Sequence, residues 1–469
     1  MTKQEAVIKY IEDNYLQFNR LRHDVVSDKL QIRLSGEEAM RLLGERQEYW
    51  REMTKHDINS IVCHCAQECD VNITSREVMT ALQSDLIPDV HPLREYILSL
   101  PPFTPDQPDW IDFVASQVKV RESAQDRPVG CRSAQVPVDG RSAAPVDNAM
   151  LFSTASITSD LQQCDPQCSA SETIYSEQRE RSEADALWRA CFKKWFVAMV
   201  ASWMKDEVVN HQVLVLIGKQ GIYKTTWLEH LIPPHLRAYA CKLANSADLN
   251  KDERLRIAEF GLISLDEIDS MNNRELNQLK SIITATDVNE RAAYAYTKER
   301  RVRLASFCAS GNRRDFLTDI TGNRRWLPFE VESIQSPFTT ILPYERMYAQ
   351  AWALAQDPFF SYWFDLDEIE VLEQHNQHFR DESNEEQLLP ILFDVPAEGK
   401  GEFLTTAQIS ERLITYGNIK KPMALSRLGM LLGAHGFQKK TIGVQRLRGW
   451  LVYQRSMDEI NANKRLYAK

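Results

Sequence analysis

Four groups of residues in this 469-residue chain have the types and order needed to handle a phosphorylated ligand. The first is the loop Gly218, Gln220, Gly221, Tyr223, Lys224, Thr225 and Thr226, which follows the apolar run Val213 to Ile217. It meets the pattern G-x-x-x-x-G-K-[ST] at Gly218, Lys224 and Thr225, with Tyr223 in place of the second glycine. In such a loop, N–H groups hold phosphate oxygens, Lys224 reaches the β- and γ-phosphates, and the Thr225 hydroxyl binds Mg²⁺. A positive φ at position 223 would strain a tyrosine by roughly 1 to 3 kcal/mol, with Gly221 supplying backbone freedom just upstream. Taken alone, the loop reads equally as a nucleotide site or an ordinary strand-to-helix turn.

The second group is Asp266 and Glu267, which close the run Leu262 to Leu265. At the carboxyl end of a buried strand, Asp266 can hold Mg²⁺ and Glu267 can polarise water; the alternative is a charged strand end beside a turn. The third is Ser310-Gly311-Asn312, after a strand predicted over Leu304 to Ala309, where Asn312 can orient the attacking water. The fourth is the arginine pair Arg324 and Arg325, just before a predicted strand, suited to stabilising charge on a transferring phosphoryl group from a neighbouring subunit. Among these groups lie Arg291, Tyr294, Tyr296, Lys298 and Arg300, on a hairpin predicted around the sequence TKER. Cations interleaved with rings suit a single nucleic-acid strand; a solvated hairpin in a subunit contact is the other reading.

Positioning these groups requires an α/β layer. Leu187, Cys191, Trp195, Ala198, Met199 and Trp203 recur at helical spacing and predict a core helix leading into the loop. A strand over Ala238 to Leu243 and helices over Lys251 to Glu259 and Asn272 to Thr284 fill the interval to the hairpin. Residues 1–118 read as a helical, or mixed, domain, with Val7, Ile8, Ile11 and Tyr15 on one helix face. Cys63, His64, Cys65 and Cys69 lack a downstream pair at finger-like spacing, so no zinc site is expected there. Residues 119–183 are rich in Ser, Ala, Gln, Asp and Pro and read as a disordered insertion or linker.

Residues 184–360 form the expected ATPase core. Residues 361–400 form an acidic connector, with Asp367, Glu368, Glu370 and Glu373 on a solvated helix. Residues 401–469 read as helix, helix and β-ribbon, the order of a winged helix. This tail carries twelve Lys and Arg against four Asp and Glu, a net of +8, which leaves −18 for the rest of a chain of net charge −10. Lys439, Lys440, Arg446 and Arg448, with Lys420, Lys421 and Arg427, can face DNA phosphates or form a basic protein contact. A charged N-terminus, no apolar run of membrane-spanning length and nine scattered cysteines suggest a cytoplasmic protein with reduced thiols and no membrane partner.

The order of phosphate loop, DEID, basic hairpin, ASGN and TGNRRW resembles the virulence-associated protein E family over about Leu187 to Glu330. That family is related to the helicase part of satellite-phage primase-helicases, of superfamily 3 and the AAA+ class. The resemblance implies an AAA+-like P-loop NTPase core using ATP and Mg²⁺, acting as a DNA helicase or replication initiator of a mobile genetic element. It also implies a homo-oligomeric ring, expected to be a hexamer, with single-stranded DNA in the pore, duplex on the C-terminal domain and a separate primase as a further partner. Position by position, Lys224 and Thr225 match Walker A, Asp266 and Glu267 Walker B, and Asn312 sensor 1. Arg324 or Arg325 matches the arginine finger. Tyr223 departs from the Walker pattern and keeps a second reading open: a nucleotide-binding DNA scaffold or regulator that does not hydrolyse ATP.

Overall fold

The computed structural model describes residues 2–35, 49–121, 183–243, 251–290, 299–317, 323–397, 401–443 and 446–460. The chain packs as two units: Met1–Asn312 with Arg325–Glu370, and Arg313–Arg324 with Val371–Lys469. Among the described residues no helix is long and apolar enough to cross a membrane.

The first unit begins with α1 (Lys3–Ile11), started by a capping box between Thr2 and Glu5 and burying Val7 and Ile11. Strands β1 (Leu21–Asp24), β2 (Lys29–Leu34) and β3 (Tyr49–Glu52) follow, then α2 (Lys55–Cys69), α3 (Ser75–Leu82), β4 (Asp89–Val90), α4 (Pro92–Ser99) and α5 (Trp110–Ala115). The four strands form a sheet of order β3-β2-β1-β4, so of the two readings left open for residues 1–118 this part takes the mixed one. The reason is visible in β2, where Ile32 and Leu34 point inward between polar residues, a two-residue period within a hydrophilic run. Cys65 is buried in the local core beside Ile61, and no group of three or more metal-binding side chains converges among the described residues.

The same unit holds a six-stranded sheet. Its elements are β5 (Val118–Val120), α6 (Glu183–Met204), β6 (Val213–Ile217), α7 (Lys224–Glu229), β7 (Ala240–Leu243), α8 (Lys251–Glu259), β8 (Leu262–Leu265), α9 (Asn273–Thr284), β9 (Asp287–Glu290), β10 (Glu299–Val302), β11 (Ser306–Gly311), β12 (Trp326–Ile334) and α10 (Tyr344–Gln356). The order is β5-β12-β6-β11-β8-β7, with β9 and β10 forming a separate hairpin. Every pairing in the six-stranded sheet is parallel except that of β5 with β12. All five residues of β6 are buried, as a parallel strand covered on both faces requires. From β6 the chain runs to the far edge at β7, returns through β8 and β11, and then crosses to β12 on the other side of β6. That reversal opens a crevice at the carboxyl end of β6.

Helix α6 is buried far beyond the single face its spacing suggested, because α4, α5 and α10 pack on it opposite the sheet. Its indoles are hydrogen-bonded. Trp188 donates to the Ala115 carbonyl (2.9 Å), Trp195 to Phe307 (3.1 Å) and Trp203 to Gly261 (3.1 Å). A Cβ at Gly261 would lie 2.9 Å from the Trp203 ring, so only glycine admits that indole. Arg303, fully enclosed at the base of the β9–β10 hairpin, donates to the carbonyls of Asn210 (2.9 Å), Ala285 (3.3 Å) and Ala305 (3.1 Å) and to that of Ile283. Burial draws its guanidinium down to about 9.

In the second unit, α11 (Leu366–Gln377) runs across the boundary and is followed by α12 (Asn384–Leu392), β13 (Phe393–Asp394), β14 (Glu402–Leu404), α13 (Thr406–Gly417), α14 (Leu425–Ala434), β15 (Gln438–Ile442) and β16 (Leu447–Gln454). Leu389, Leu404, Leu413, Leu428, Leu432, Trp450 and Val452 share one core. The Arg313–Arg324 segment belongs to this unit: the Leu317 N–H donates to Phe379 O (3.0 Å), the Asp381 N–H to Leu317 O (2.8 Å) and Asn376 Nδ2 to Asn323 O (2.9 Å). Of the acids expected on a solvated helix, Asp367, Glu370 and Glu373 are exposed on α11, but Glu368 and two later acids are not. Glu368 is buried against Lys194 (2.6 Å), Glu386 pairs with Arg380, and Glu385 accepts from the Met423 N–H (2.7 Å). Charge density alone could not reveal these partners.

His91 caps α4 by accepting the Arg94 N–H at Nδ1 (3.3 Å). Burial, helped by the Arg94 charge and opposed by Asp24 and Asp206, pushes its ring from the usual 6.5 down to about 4. The unfolded chain therefore takes up the proton first, and stability present above pH 6.5 is lost as pH falls toward 4. His91→Asn keeps a capping acceptor without the titration. Between pH 7 and 4 the wild type should lose about 2 to 3 kcal/mol more than this variant in denaturant unfolding.

Candidate functional site

The loop after β6 is shaped by close backbone approach. The Gly218 N–H donates to Gly311 O (3.1 Å), and a Cβ at 218 would stand 2.7 Å from the Val331 carbonyl oxygen, so β11 and β12 clamp the loop from both sides. Gly221 takes a φ of +85° and Tyr223 a φ of +68° at the N-cap of α7. The tyrosine thus stands in the left-handed conformation that a glycine would hold without strain. The loop keeps its course, at the cost the sequence suggested.

Lys224 is only 7% exposed. Its Nζ donates to the carbonyls of Gly218 (2.7 Å) and Lys219 (2.7 Å) and to Asn312 Oδ1 (3.2 Å). Burial lowers its pKa, while the nearby Asp269 and Asp266 act in the opposite direction without touching it. Asn312, at the end of β11, is held in turn by its own N–H, which donates to Asp269 Oδ1 (3.2 Å).

Thr225, Ser310 and Asp266 bring three oxygens together. Ser310 Oγ donates to Asp266 Oδ1 (2.7 Å), Thr225 Oγ1 lies 3.2 Å from the same oxygen, and the two hydroxyls are 2.9 Å apart. The other Asp266 oxygen accepts from Lys242 Nζ (2.9 Å), which also lies 3.7 Å from Glu229. Burial would raise the Asp266 carboxyl, but Lys242, Ser310 and Thr225 together hold it below its ordinary value. An all-oxygen set with one carboxylate suits Mg²⁺, which keeps waters and takes phosphate oxygens rather than a protein cage. Glu267 is exposed, with a φ of +53° at the turn after β8.

The structure therefore brings together Gly218, Lys224, Thr225, Asp266 and Asn312. Gln220 is exposed at the loop crest, and the Thr226 carbonyl accepts from His230 Nδ1 (2.7 Å). Arg324 and Arg325 lie in the turn entering β12, Arg324 in the second unit and Arg325 in the first, and neither hydrogen-bonds a loop residue among the described residues. Arg300 is exposed but paired with Asp287 (2.7 Å) across the hairpin. Arg291, Tyr294, Tyr296 and Lys298 lie outside the described residues. Lys439, Lys440, Arg446 and Arg448 are exposed on or beside the β15–β16 ribbon. Ser310, Asp269 and Lys242 were missed as site residues. The first two stand inside the motifs ASGN and DEID, whereas nothing marks Lys242 except its place near a strand end.

Fold and site define a mixed α/β protein with several sheets, whose polar side chains converge at the carboxyl edge of the largest one. Residues 169–387 match the family model of the virulence-associated protein E-like domain. No curated protein matches the chain. The solved apo structure of the NrS-1 C-terminal region (305–718) is similar at 9% identity and a TM-score of 0.41, covering 96% of this chain and 99% of that one. An A-form apo structure of the NrS-1 C-terminal region aligns at 11% identity and a TM-score of 0.40, covering 94% of this chain and 98% of that one.

The positive φ at 223 can be tested without nucleotide. Tyr223→Gly and Tyr223→Ala lose the same ring, so their difference isolates the backbone. The glycine variant should be the more stable by about 1 kcal/mol in denaturant unfolding, the reverse of the order expected inside a helix.

Proposed function

We propose that this chain is a phosphate-loop ATPase that acts as a DNA helicase or replication initiator of a mobile genetic element. The observation that carries this reading is the buried Lys224 ammonium, held by loop carbonyls and Asn312 beside the Thr225–Ser310–Asp266 oxygen cluster. Its partners are neutral oxygens, and an incoming phosphate adds to the same hydrogen bonds the Coulomb attraction of an anion. Loop N–H groups then hold the polyphosphate, and Thr225 with Asp266 offers oxygens to Mg²⁺. When bound, Mg²⁺ neutralises charge between the β- and γ-phosphates. Glu267 accepts a proton from the attacking water and Asn312 keeps that water in line, so the bond from the γ-phosphorus to the ADP oxygen breaks as the new one forms.

Assembly as a hexameric ring would let Arg324 or Arg325 act on a neighbouring subunit's nucleotide. Single-stranded DNA would meet the β9–β10 hairpin, and the helix-helix-ribbon order of the second unit supports a winged-helix reading in which Lys439, Lys440, Arg446 and Arg448 follow duplex phosphates. A primase from another chain would complete the replication step. The second reading, a nucleotide-binding DNA scaffold without turnover, rests on the strained Tyr223.

ATP binding and hydrolysis, each measured with and without single-stranded DNA, separate the two. Lys224→Ala should lose binding. Glu267→Gln should keep ATP bound while hydrolysis falls by about 10² to 10⁴-fold. Wild-type hydrolysis no faster than that of Lys224→Ala, with ATP still bound by the wild type, would favour the scaffold.

A further inference from the structure

Three aromatic rings meet beside the phosphate loop. Phe338 is carried on the turn after β12, where the Thr339 and Thr340 N–H groups both donate to Ser336 O (3.1 and 3.2 Å). It is 71% exposed, so its ring is open to a ligand. Its ring meets Tyr223 edge-on, with centroids 6.2 Å apart and planes at 79°, and His230 likewise at 5.6 Å and 83°. Tyr223 and His230 cap the two ends of α7, so Phe338 bridges both ends of the helix that follows the phosphate loop.

An edge-on contact covers at most one ring face of each pair and leaves the others clear, and Tyr223 itself remains 42% exposed. The strand that leads to this turn is the one whose Val331 carbonyl presses on Gly218. His230 adds directionality. Its Nδ1 lies 2.7 Å from the Thr226 carbonyl, which can only accept, so Nδ1 is the donor there and the tautomer this contact selects presents Nε2 as an acceptor. Open π-faces next to a hydrogen-bond acceptor form a surface for a flat ring with an exocyclic amino group, and a nucleotide held by its phosphates carries such a ring one sugar away.

We propose that Phe338 and Tyr223 form the nucleobase platform of this site, with Phe338 setting the preference for a nucleotide over a bare polyphosphate and His230 accepting from the base amino group. This inference rests on the phosphate-loop reading above, and it gives Tyr223 a function that its backbone strain alone does not explain: a glycine there would relax the loop but remove one ring.

The test is calorimetric binding of Mg-ATP and of Mg-tripolyphosphate to the full chain, wild type and Phe338→Ala. Because Phe338 is mostly exposed, its removal spares the core, and an unchanged thermal midpoint verifies this. The expected result is about tenfold weaker ATP binding with tripolyphosphate affinity unchanged, and recovery of ATP affinity in Phe338→Trp. Mg-ITP, whose base lacks the amino group, should bind the wild type more weakly than Mg-ATP. Equal ATP affinity in wild type and Phe338→Ala, or equal weakening of both ligands, overturns the platform while leaving the phosphate loop in place. A wild-type chain that binds neither ligand overturns the phosphate-loop reading itself, and the platform with it.

Discussion

An ammonium taken out of water must be met by oxygens, and the central unit of this chain is arranged around that demand at Lys224. Its three partners arrive from different places: two carbonyls from the loop that contains it and one amide oxygen from the end of β11. Bringing them within reach requires Gly218 to lie where a methyl group would strike β12, and Gly221 and Tyr223 to turn with positive φ. Each is unfavourable alone, yet losing any of the three oxygens would leave a buried cation short of a partner, which is costlier. Asp266 and Asp269 supply negative potential without contact, so the charge is compensated while its hydrogen bonds stay exchangeable.

Arg303 solves the same problem with a different outcome. It is enclosed with no carboxylate in contact among the described residues and directs its donors to carbonyls, several at the C-terminal end of α9, where backbone partial charges are negative. Another donor reaches Asn210 O, just before β6 begins. A single rigid fork therefore joins the base of the β9–β10 hairpin, the end of α9 and the strand that feeds the phosphate loop. Arg301 extends the hairpin's attachment toward β1 through Asp28 (2.8 Å).

Much of the central sheet was legible because parallel strands buried on both faces have a plain signature, unbroken apolar runs closed by polar residues, as in β6 and β8. Lys224, Thr225, Asp266 and Asn312 could be named because each stands where such a run ends. Lys242 could not, since its role depends on β7 lying next to β8, a pairing that local sequence does not encode. Strand β2 was lost for another reason: its inward Ile32 and Leu34 alternate with Gln31 and Arg33, and the polar residues dominated the run. Among the acids of residues 361–400, charge was a good guide to the exposed Asp367, Glu370 and Glu373, but burial of Glu368, Glu385 and Glu386 is set by partners it does not reveal, Lys194 among them.

The second unit is discontinuous, since Arg313–Arg324 sits between β11 and β12 in the chain but packs with residues beyond Val371. For a chain made from its N-terminus, this sets an order of events. Strands β6, β7, β8 and β11 emerge together and can pair at once, but β12 is separated from them by a segment whose hydrogen-bond partners, Phe379 and Asp381, have not yet been made. The strand that completes one edge of β6 thus follows directly on a segment anchored by residues more than sixty positions further along the chain. A chain cut short of Phe379 therefore loses hydrogen-bond partners of the segment between β11 and β12, so the effect of such a truncation is not confined to the residues after the cut.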